Sequence, residues 1–212
     1  MVRHLLSTAA VLAAAIALAA TAPGATSWAQ GDPAIVQHQD ALLHGPASET
    51  LGNPKGDVTI IEFFDYACPY CKAAEPRLED FLKADRNVRL VVEEFPILTP
   101  QSVVASRTAL AAARQGKYAA FHQALMAYRG GLDEDAILGV ARKVGLDMEK
   151  LRRDAADPAL QAAIDANLKL ARAIGAHGTP TFIVDGRILT QPSASISFPD
   201  LAAASRRAHK PA

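Results

Sequence analysis

The sequence has no excess of either charge, since its 22 Lys and Arg residues balance 22 Asp and Glu residues over 212 positions. Duplex nucleic acid and anionic membrane surfaces are bound through broad basic surfaces, which this composition does not supply. The chain is also too short for a large multidomain protein, because domains commonly hold about 100 to 200 residues. We therefore expect one full domain or two small ones, and no polyanion as a partner.

Long apolar runs are equally scarce, and the one present is an uninterrupted stretch from Ala9 to Ala20. It is too short for a membrane span, which takes about 20 residues. A basic start, a short apolar stretch and the small-residue pattern Ser27-Trp28-Ala29 are typical of a secretory signal peptide. The alternative is an uncleaved anchor. We expect residues 1–29 to be a signal peptide cleaved after Ala29, and the remaining chain to be periplasmic.

The sequence has only 2 cysteines, Cys68 and Cys71, and both remain in the predicted mature chain. A structural zinc site needs two further ligands, which only scattered histidines offer. A haem attachment motif has histidine where this sequence has Lys72. We therefore expect no metal and no organic cofactor. A structural disulfide remains an alternative, although so small a ring stabilises a fold only weakly.

Hydrophobic patterning predicts a mixed α/β chain. The segment Val58–Phe64 is rich in β-branched and aromatic residues, which predicts a strand buried on both faces. Pro69 suits a first helical position and predicts a helix to about Ala84. Alanine-rich segments with apolar residues at helical spacing predict several helices between residues 102 and 176. The remaining predictions are a short helix over 34–44, a loop over 45–56, strands over 89–95, 181–184 and 187–189, a hairpin turn at Asp185-Gly186, and a final helix over 199–209.

The Cys68-Pro69-Tyr70-Cys71 motif places two thiols one turn apart at a predicted helix start. Residues three apart on a helix have Cβ atoms about 5 to 6 Å apart, which is near the spacing in a disulfide. The sulfur of Cys68 faces the unpaired N–H groups and the positive dipole end of the helix, which favour its thiolate. Cys71 lies one turn further in, and we expect it to be shielded. The pair is therefore a candidate redox-active dithiol.

The motif and its surroundings resemble the DsbA-like branch of the thioredoxin superfamily, including its ScsC-like members. The similar segments are residues 63–72 and the Gly-Thr-Pro-Thr-Phe sequence at 178–182. The resemblance implies an α/β, thioredoxin-like fold with an inserted all-helical domain. It divides the chain into an N-terminal segment and linker over 30–56, a thioredoxin-like domain over 57–100 and 177–212, and a helical insertion over 101–176.

The resemblance also implies roles for individual residues. Cys68 is expected to form the mixed disulfide with a client polypeptide, and Cys71 is expected to resolve it. Thr179 and Pro180, the latter with a cis peptide bond, are expected to hold the client beside the sulfurs, because backbone groups next to the proline can pair with an extended chain. Threonine before this proline is more similar to isomerase-type and ScsC-like members than to DsbA itself.

Other residues near the motif carry expectations of their own. The family has an acid at the position of Glu62, which implies a buried carboxyl with a raised pKa that moves protons for Cys71; the alternative is an edge position that reaches solvent. His177 either tunes the thiolate or lies on a solvated loop. Pro69 and Tyr70 are expected to contact the client. Tyr70 replaces the histidine of DsbA's own motif, so we expect an intermediate redox potential.

These observations predict an exported thiol–disulfide oxidoreductase that forms disulfides in client proteins and is reoxidised by a DsbB-type membrane partner. One alternative is an oligomeric isomerase or reductase kept reduced by a DsbD-type partner. A non-enzymatic alternative is a secreted binding or folding-helper domain with a structural disulfide. The sequence leaves open the identity of the clients, the oligomeric state and the direction of electron flow.

Overall fold

The computed structural model describes Trp28 and residues 30–210. The predicted signal peptide over residues 1–29 therefore lies outside the described residues, except for Trp28. Within the part of the chain that is described, no helix has the length and apolar character needed to cross a membrane.

A mixed sheet forms the centre of the fold. Its described strands lie in the order β1-β3-β2-β4-β5, with β2 and β3 parallel and the other neighbours antiparallel. Because β2 is the middle strand, all of its residues are buried, as its apolar composition predicts. The strands are β1 (Ser48–Gly52), β2 (Val58–Phe64), β3 (Val88–Glu94), β4 (Thr181–Val184) and β5 (Arg187–Ile188).

Helices cover both faces of the sheet. Helices α4 to α8 fall between β3 and β4, where the alanine-rich segment predicts them. Side chains fix several helix starts, since Thr99, Asp133 and Asp157 each accept a hydrogen bond from a backbone N–H of the following helix. The described helices are α1 (Pro33–Gln37), α2 (Gln39–His44), α3 (Pro69–Ala84), α4 (Pro100–Ala113), α5 (Tyr118–Ala127), α6 (Glu134–Lys143), α7 (Met148–Ala155), α8 (Pro158–Ala173) and α9 (Phe198–Ala208).

The side chains of β2 alternate between two buried clusters, one on each face of the sheet. Ile61 and Phe63 join the cluster that includes residues of α1, α2 and α8. Ile60 and Phe64 join the larger cluster, which contains both cysteines and residues of α3, α4, α5 and α9. Glu62 shares the face of Ile60 and Phe64, because alternate residues of a strand point the same way. The helix that carries the cysteines therefore packs on the same face as Glu62.

Most predicted elements are confirmed. The central strand and the helix that follows it have the predicted bounds. Asp185 and Gly186 have positive φ angles of 51° and 70°, as the predicted hairpin turn requires. The strand predicted over 89–95 and the helix predicted over 199–209 each begin and end one residue earlier.

Two predictions in the N-terminal segment are wrong. The loop predicted over 45–56 contains β1, which pairs with β3 as an edge strand. Only Leu51 of β1 is buried, so this strand lacks an alternating apolar pattern, and its pairing with a strand distant in sequence decides its structure. The single helix predicted over 34–44 is two short helices, α1 and α2, that meet at His38.

Candidate active site

Cys68 is the N-cap residue of α3 and directly precedes Pro69 at the first helical position. Its backbone N–H donates to the carbonyl of Asp65 at 3.0 Å. Its sulfur accepts a hydrogen bond from the backbone N–H of Cys71 at 3.4 Å. Both cysteines are free thiols, so the structure represents the dithiol form. The predicted placement of the two sulfurs at a helix N-terminus is confirmed.

The surroundings of Cys68 favour its thiolate. The pKa of Cys68 is lowered to about 6, mainly by a hydrogen bond from the Cys71 thiol and against the opposing effect of burial. The backbone N–H groups of Cys71 and Tyr70 contribute to this low pKa. A free cysteine has a pKa of about 8.5. At neutral pH, most Cys68 is therefore ionised.

Cys71 has the opposite character. It is 0% exposed, and burial raises the pKa of Cys71 far above that of a free thiol, with further increases from its hydrogen bond to Cys68 and from Glu62. Cys71 therefore stays protonated. Its predicted shielding is confirmed, but Cys68 is also nearly covered, at 2% exposed.

The loop before β4 lies against Cys68. The Thr179–Pro180 peptide bond is cis, as the resemblance implies, and the Cys68 thiol donates to the Thr179 carbonyl at 3.3 Å. Thr179 and Pro180 are half-buried, whereas Pro69 and Tyr70 are exposed. The residues predicted to contact a client therefore adjoin Cys68, either along the chain or across this loop contact.

Glu62 lies in the middle strand on the cysteine-bearing face and is 0% exposed, which excludes a solvent-facing edge position. Neither of its carboxyl oxygens has a hydrogen-bond partner among the described residues. Burial, followed by the nearby Glu75 and Cys68, raises the pKa of Glu62 well above its ordinary value. A protonated carboxyl near Cys71 is suited to exchange a proton with it. His177 is exposed, which favours its interpretation as a solvated loop residue.

A buried polar group that the sequence did not predict extends from α3 towards α5. Glu75 of α3 approaches His122 of α5, with 3.4 Å between Oε2 and Nε2. The Nδ1 atom of His122 lies 3.1 Å from the hydroxyl of Tyr66. Glu94 of β3 accepts hydrogen bonds from Tyr66 at 3.3 Å and from Tyr118 at 2.8 Å. Burial raises the pKa of Glu94 to about 7.

One sequence signal pointed to part of this group. Glu75 follows Cys71 by four residues on a predicted helix, and residues with that spacing share a helix face. His122 carried no such signal, because its partners belong to other elements and meet it only in the folded chain. In the sequence, His122 is only one of the scattered histidines that could serve as zinc ligands.

Lys72, directly after the cysteine motif, joins the active-site helix to the helical segment. Its ammonium donates to the carbonyls of Leu125 at 2.9 Å and Tyr128 at 2.8 Å, at the end of α5. Burial lowers the pKa of Lys72 to about 8. The contacts of Lys72 with the end of α5, and of Cys68 with the Thr179 carbonyl, thus hold the start of α3.

The chemistry of the site is that of two thiols and one carboxyl. Among the described residues, no cluster of three or more His, Cys, Asp and Glu side chains is arranged to hold a metal ion. Two sulfurs one helical turn apart can form and break a disulfide. Because the thiolate is the reactive form, the unequal ionisation of the two thiols favours reaction at Cys68.

Comparison with known proteins agrees with this geometry. A family model described as a DSBA-like thioredoxin domain matches residues 59–202. The chain belongs to the DsbA-like thioredoxin family. The matched residues of this DsbA-like protein include both cysteines, the helices between β3 and β4, and the loop with the cis proline.

Curated relatives of the DsbA-like chain include antiporters and a disulfide interchange protein. The Na(+)/H(+) antiporter NhaA 1 of Salinispora arenicola is 35% identical over 138 residues, which are 64% of this chain and 21% of the antiporter. The matched part of the chain therefore spans about a fifth of the length of these curated antiporters. The thiol:disulfide interchange protein DsbA of Bordetella parapertussis is 30% identical over 187 residues, which are 85% of each protein.

Solved structures with the same fold include thioredoxin-like proteins. A thioredoxin-like oxidoreductase from Silicibacter pomeroyi is 45% identical, with a TM-score of 0.74 over 82% of this chain and 99% of that one. A periplasmic thioredoxin-like protein from Salmonella enterica is 29% identical, with a TM-score of 0.70 over 83% and 96%. The catalytic domain of Proteus mirabilis ScsC is 26% identical, with a TM-score of 0.72 over 82% and 96%.

Proposed function

We propose that this DsbA-like protein is an exported thiol–disulfide oxidoreductase that forms disulfides in client polypeptides through Cys68 and Cys71. The observation that carries the proposal is the contrast between the two thiols: the pKa of Cys68 is about 6, whereas burial keeps Cys71 protonated. A sulfur with a low pKa leaves readily from a disulfide. The contrast supports a mechanism in which Cys68 bonds to the client and Cys71 opens or closes the internal disulfide.

The first step starts from the oxidised protein, with a Cys68–Cys71 disulfide. A client thiolate attacks the sulfur of Cys68, so that a client–Cys68 bond forms and the Cys68–Cys71 bond breaks. The electron pair leaves on Cys71, whose thiolate is costly because the residue is fully buried. Glu62, whose pKa is raised by burial, is suited to supply the proton that Cys71 then takes up.

The second step completes the client's disulfide. A second client thiolate attacks the client sulfur of the mixed disulfide, and the electron pair leaves on Cys68. The resulting thiolate is stabilised by the hydrogen bond from the Cys71 backbone N–H. The protein then holds two electrons as a dithiol, and we propose that a DsbB-type membrane partner accepts them.

The stability of the reduced form supports disulfide formation as the direction of exchange. Stabilising the Cys68 thiolate stabilises the dithiol, and so favours the reaction that oxidises the client. A pKa of about 6 lies between the values of about 3.5 in a strongly oxidising pair and about 7 in thioredoxin. This supports disulfide formation with an intermediate redox potential.

An isomerase or reductase kept reduced by a DsbD-type partner is the second candidate. Thr179 before the cis proline favours it, together with the 26% identity to the catalytic domain of ScsC. The N-terminal segment argues against an oligomeric version, because it is used within the fold. Ile35 of α1 and Leu42 of α2 are buried in a core cluster, and β1 pairs with β3.

Export to the periplasm is part of the proposal. It is supported by the N-terminal sequence, with its basic start and short apolar stretch, and by the 29% identity to a Salmonella enterica protein described as periplasmic. Fractionation of cells expressing the full chain tests it, with processed protein expected in the periplasmic fraction. Unprocessed protein in the cytoplasm would contradict it.

The experiment that tests the activity mixes the oxidised protein with a reduced, unfolded client and compares Cys68→Ser with Cys71→Ser. We expect the Cys71→Ser variant, once its Cys68 has been activated as a mixed disulfide with thionitrobenzoate, to retain a client that has a single cysteine as a mixed disulfide on non-reducing gels. The Cys68→Ser variant should form none. If the disulfide is structural, neither variant will capture the client and the wild-type protein will oxidise it no faster than buffer does.

The redox potential separates the two enzymatic candidates. Equilibration in a glutathione buffer series should give a potential above that of thioredoxin, at about −270 mV, and below that of DsbA, at about −120 mV. A value near that of thioredoxin would favour the reductase. The direction of exchange is therefore testable without knowledge of the natural client.

A further inference from the structure

Asp65, in the loop that leads into the active-site helix, is buried and accepts four hydrogen bonds through its side chain. Its Oδ1 atom accepts from the backbone N–H of Ala67 at 2.7 Å and from the hydroxyl of Ser102 at 2.7 Å. Its Oδ2 atom accepts from the backbone N–H groups of Ile97 and Leu98, both at 2.9 Å. A carboxylate offers about four acceptor positions, and this one uses all of them.

These bonds tie three separate segments together. Ala67 belongs to the loop before Cys68, Ile97 and Leu98 follow β3, and Ser102 lies in the first turn of α4. The backbone carbonyl of Asp65 also accepts from the N–H of Cys68 at 3.0 Å. Asp65 therefore joins the segment after β3 to the loop that ends at the reactive Cys68.

The segment that Asp65 holds carries exposed apolar side chains. Ile97 is 41% exposed and Leu98 is 49% exposed, and Tyr70, beside the sulfur, is 67% exposed. Among the described residues, these are three of the four large apolar side chains that are exposed, with Val104 of α4 as the fourth. The hydrogen bonds of Asp65 hold the segment of Ile97 and Leu98 against the loop that leads to Cys68 and Tyr70, and exposed apolar side chains on adjoining segments mark an interaction surface.

We propose that Asp65 is a positioning residue for client recognition: it holds Ile97 and Leu98 beside Cys68 so that an unfolded client contacts the sulfur and an apolar surface together. The inference rests on the proposed function, and it deepens it by assigning how a client is selected. The occupant is an extended polypeptide with apolar residues next to its cysteine, because only such a chain reaches both features at once.

The chemistry of the contact explains why a carboxylate stands at this position. All four donors point at one side chain, and asparagine would accept through a single oxygen while its amide group faced N–H donors. Asp65→Asn therefore keeps the shape of the side chain but leaves donors without acceptors. The exposed segment would then no longer be fixed relative to the sulfur.

The test compares two thiols as reductants of the oxidised protein. One is a synthetic peptide with a single cysteine flanked by leucines, and the other is glutathione. The measured quantity is the ratio of their second-order rate constants, which cancels any change in the sulfur itself. We expect Asp65→Asn to lower this ratio by about tenfold, the typical effect of losing one apolar contact.

Asp185→Asn is the matched control, because Asp185 also binds a serine hydroxyl, at 2.7 Å from Ser205, but lies in the β4–β5 turn. It should leave the ratio at the wild-type value. A ratio in Asp65→Asn equal to that of the control would overturn the inference. If the wild-type protein reacted with neither thiol, the proposed function itself would fail, so the two failures are distinguishable.

Two further variants keep the inference testable if Asp65→Asn does not fold. Ser102→Ala removes a single donor and should lower the ratio by about threefold, whereas an unchanged ratio would contradict the inference. Leu98→Ser removes the apolar side chain that is being positioned. Combined with Asp65→Asn or Ser102→Ala, it should cause less loss than the product of the single effects, and independent, multiplicative losses would overturn the coupling.

Discussion

The backbone N–H of Cys71 lies 3.4 Å from the sulfur of Cys68, and the thiol of Cys71 makes the largest contribution to the low pKa of Cys68. The residue that we propose to resolve the mixed disulfide therefore also favours ionisation of the Cys68 sulfur. This dependence exists because burial prevents Cys71 from ionising first. The two thiols therefore differ in ionisation because of their contact with each other and their positions at the start of α3.

Replacing Glu62 by leucine is expected to slow client oxidation and to stabilise the fold. The carboxyl is buried without a hydrogen-bond partner among the described residues, so leucine removes a desolvation cost of about 1 to 3 kcal/mol. The same change removes the proposed proton donor for Cys71, which we expect to slow the reaction by about 100-fold. Stopped-flow client oxidation and urea unfolding measure the two effects.

Glu62→Gln is the control for this variant, because glutamine keeps the shape of the side chain but cannot supply the proton. It should be as slow as Glu62→Leu, and a wild-type rate would refute the proton-donor role. The pKa of Glu62 is raised in the fold above 4.5, so its contribution to stability is present below that pH and is lost as pH rises. The stabilising effect of leucine should therefore be larger at about pH 8 than at about pH 5.

The reduced form is expected to gain stability relative to the oxidised form as pH rises. The pKa of Cys68 is lowered in the fold from 9.0 to about 6, so between these values the unfolded chain binds a proton that the folded chain does not. This contribution is present above the unfolded pKa and is lost as pH falls through the folded one. The oxidised form has no such thiol.

Melting temperatures of both redox forms across this pH range test the prediction. Glu93 and Glu94, whose pKa values are raised by burial to about 8 and about 7, act in the opposite direction. They are present in both forms, so the difference between the two melting temperatures reports the thiols, and below about pH 8 it reports Cys68, because Cys71 is then protonated in the folded and in the unfolded chain. A difference that stays constant from about pH 5 to about pH 9 would disagree with the low pKa.

His122→Leu is expected to destabilise the protein by about 2 kcal/mol, because it removes the polar neighbour of the buried Glu75 at 3.4 Å and the contact of the Tyr66 hydroxyl at 3.1 Å. Urea unfolding of the reduced protein measures the loss. The control is the double variant with Glu75→Leu, which removes both members of the pair and should recover much of the stability. A double variant less stable than His122→Leu would show that the loss of stability does not come from the Glu75–His122 contact.

Trp28→Ala is expected to destabilise the fold by about 3 kcal/mol. Trp28 is 2% exposed and packs in the cluster on one face of the sheet, and its carbonyl accepts from the N–H of Gly31 at 2.7 Å. A chain that begins at Gln30 should show the same loss. Equal stability of chains that begin at Trp28 and at Gln30 would contradict this packing.

The packing of Trp28 bears on the predicted site of signal-peptide cleavage. Cleavage after Ala29 would remove the buried Trp28, so the site of cleavage decides whether the exported protein keeps this contact. Mass spectrometry of the N-terminus of the exported protein determines it directly. Cleavage after Ala29 stays a prediction from the sequence.

The sequence predicted those parts of the fold and site that depend on local signals. The apolar run of β2, the proline at the start of α3 and the Asp185-Gly186 turn each specify their structure within a few residues. The ionised Cys68 followed in the same way, from its place at a helix start. These features required no knowledge of distant partners.

What the sequence did not predict depends on residues far apart in the chain. β1 forms because β3 offers it a partner, and Glu75 meets His122 only when α3 packs against α5. Asp65 had no apparent role until the fold brought Ile97 and Leu98 to it. Local sequence patterns do not predict such pairings, because tertiary packing determines them.

A stabilised Cys68 thiolate should be visible in the alkylation rate of this sulfur as a function of pH. The reduced wild-type protein is treated with iodoacetamide from about pH 4 to about pH 10, and mass spectrometry identifies modification at Cys68. We expect a rate that rises with an apparent pKa of about 6, while Cys71 remains unmodified. An apparent pKa near the value of about 8.5 for a free thiol would contradict it.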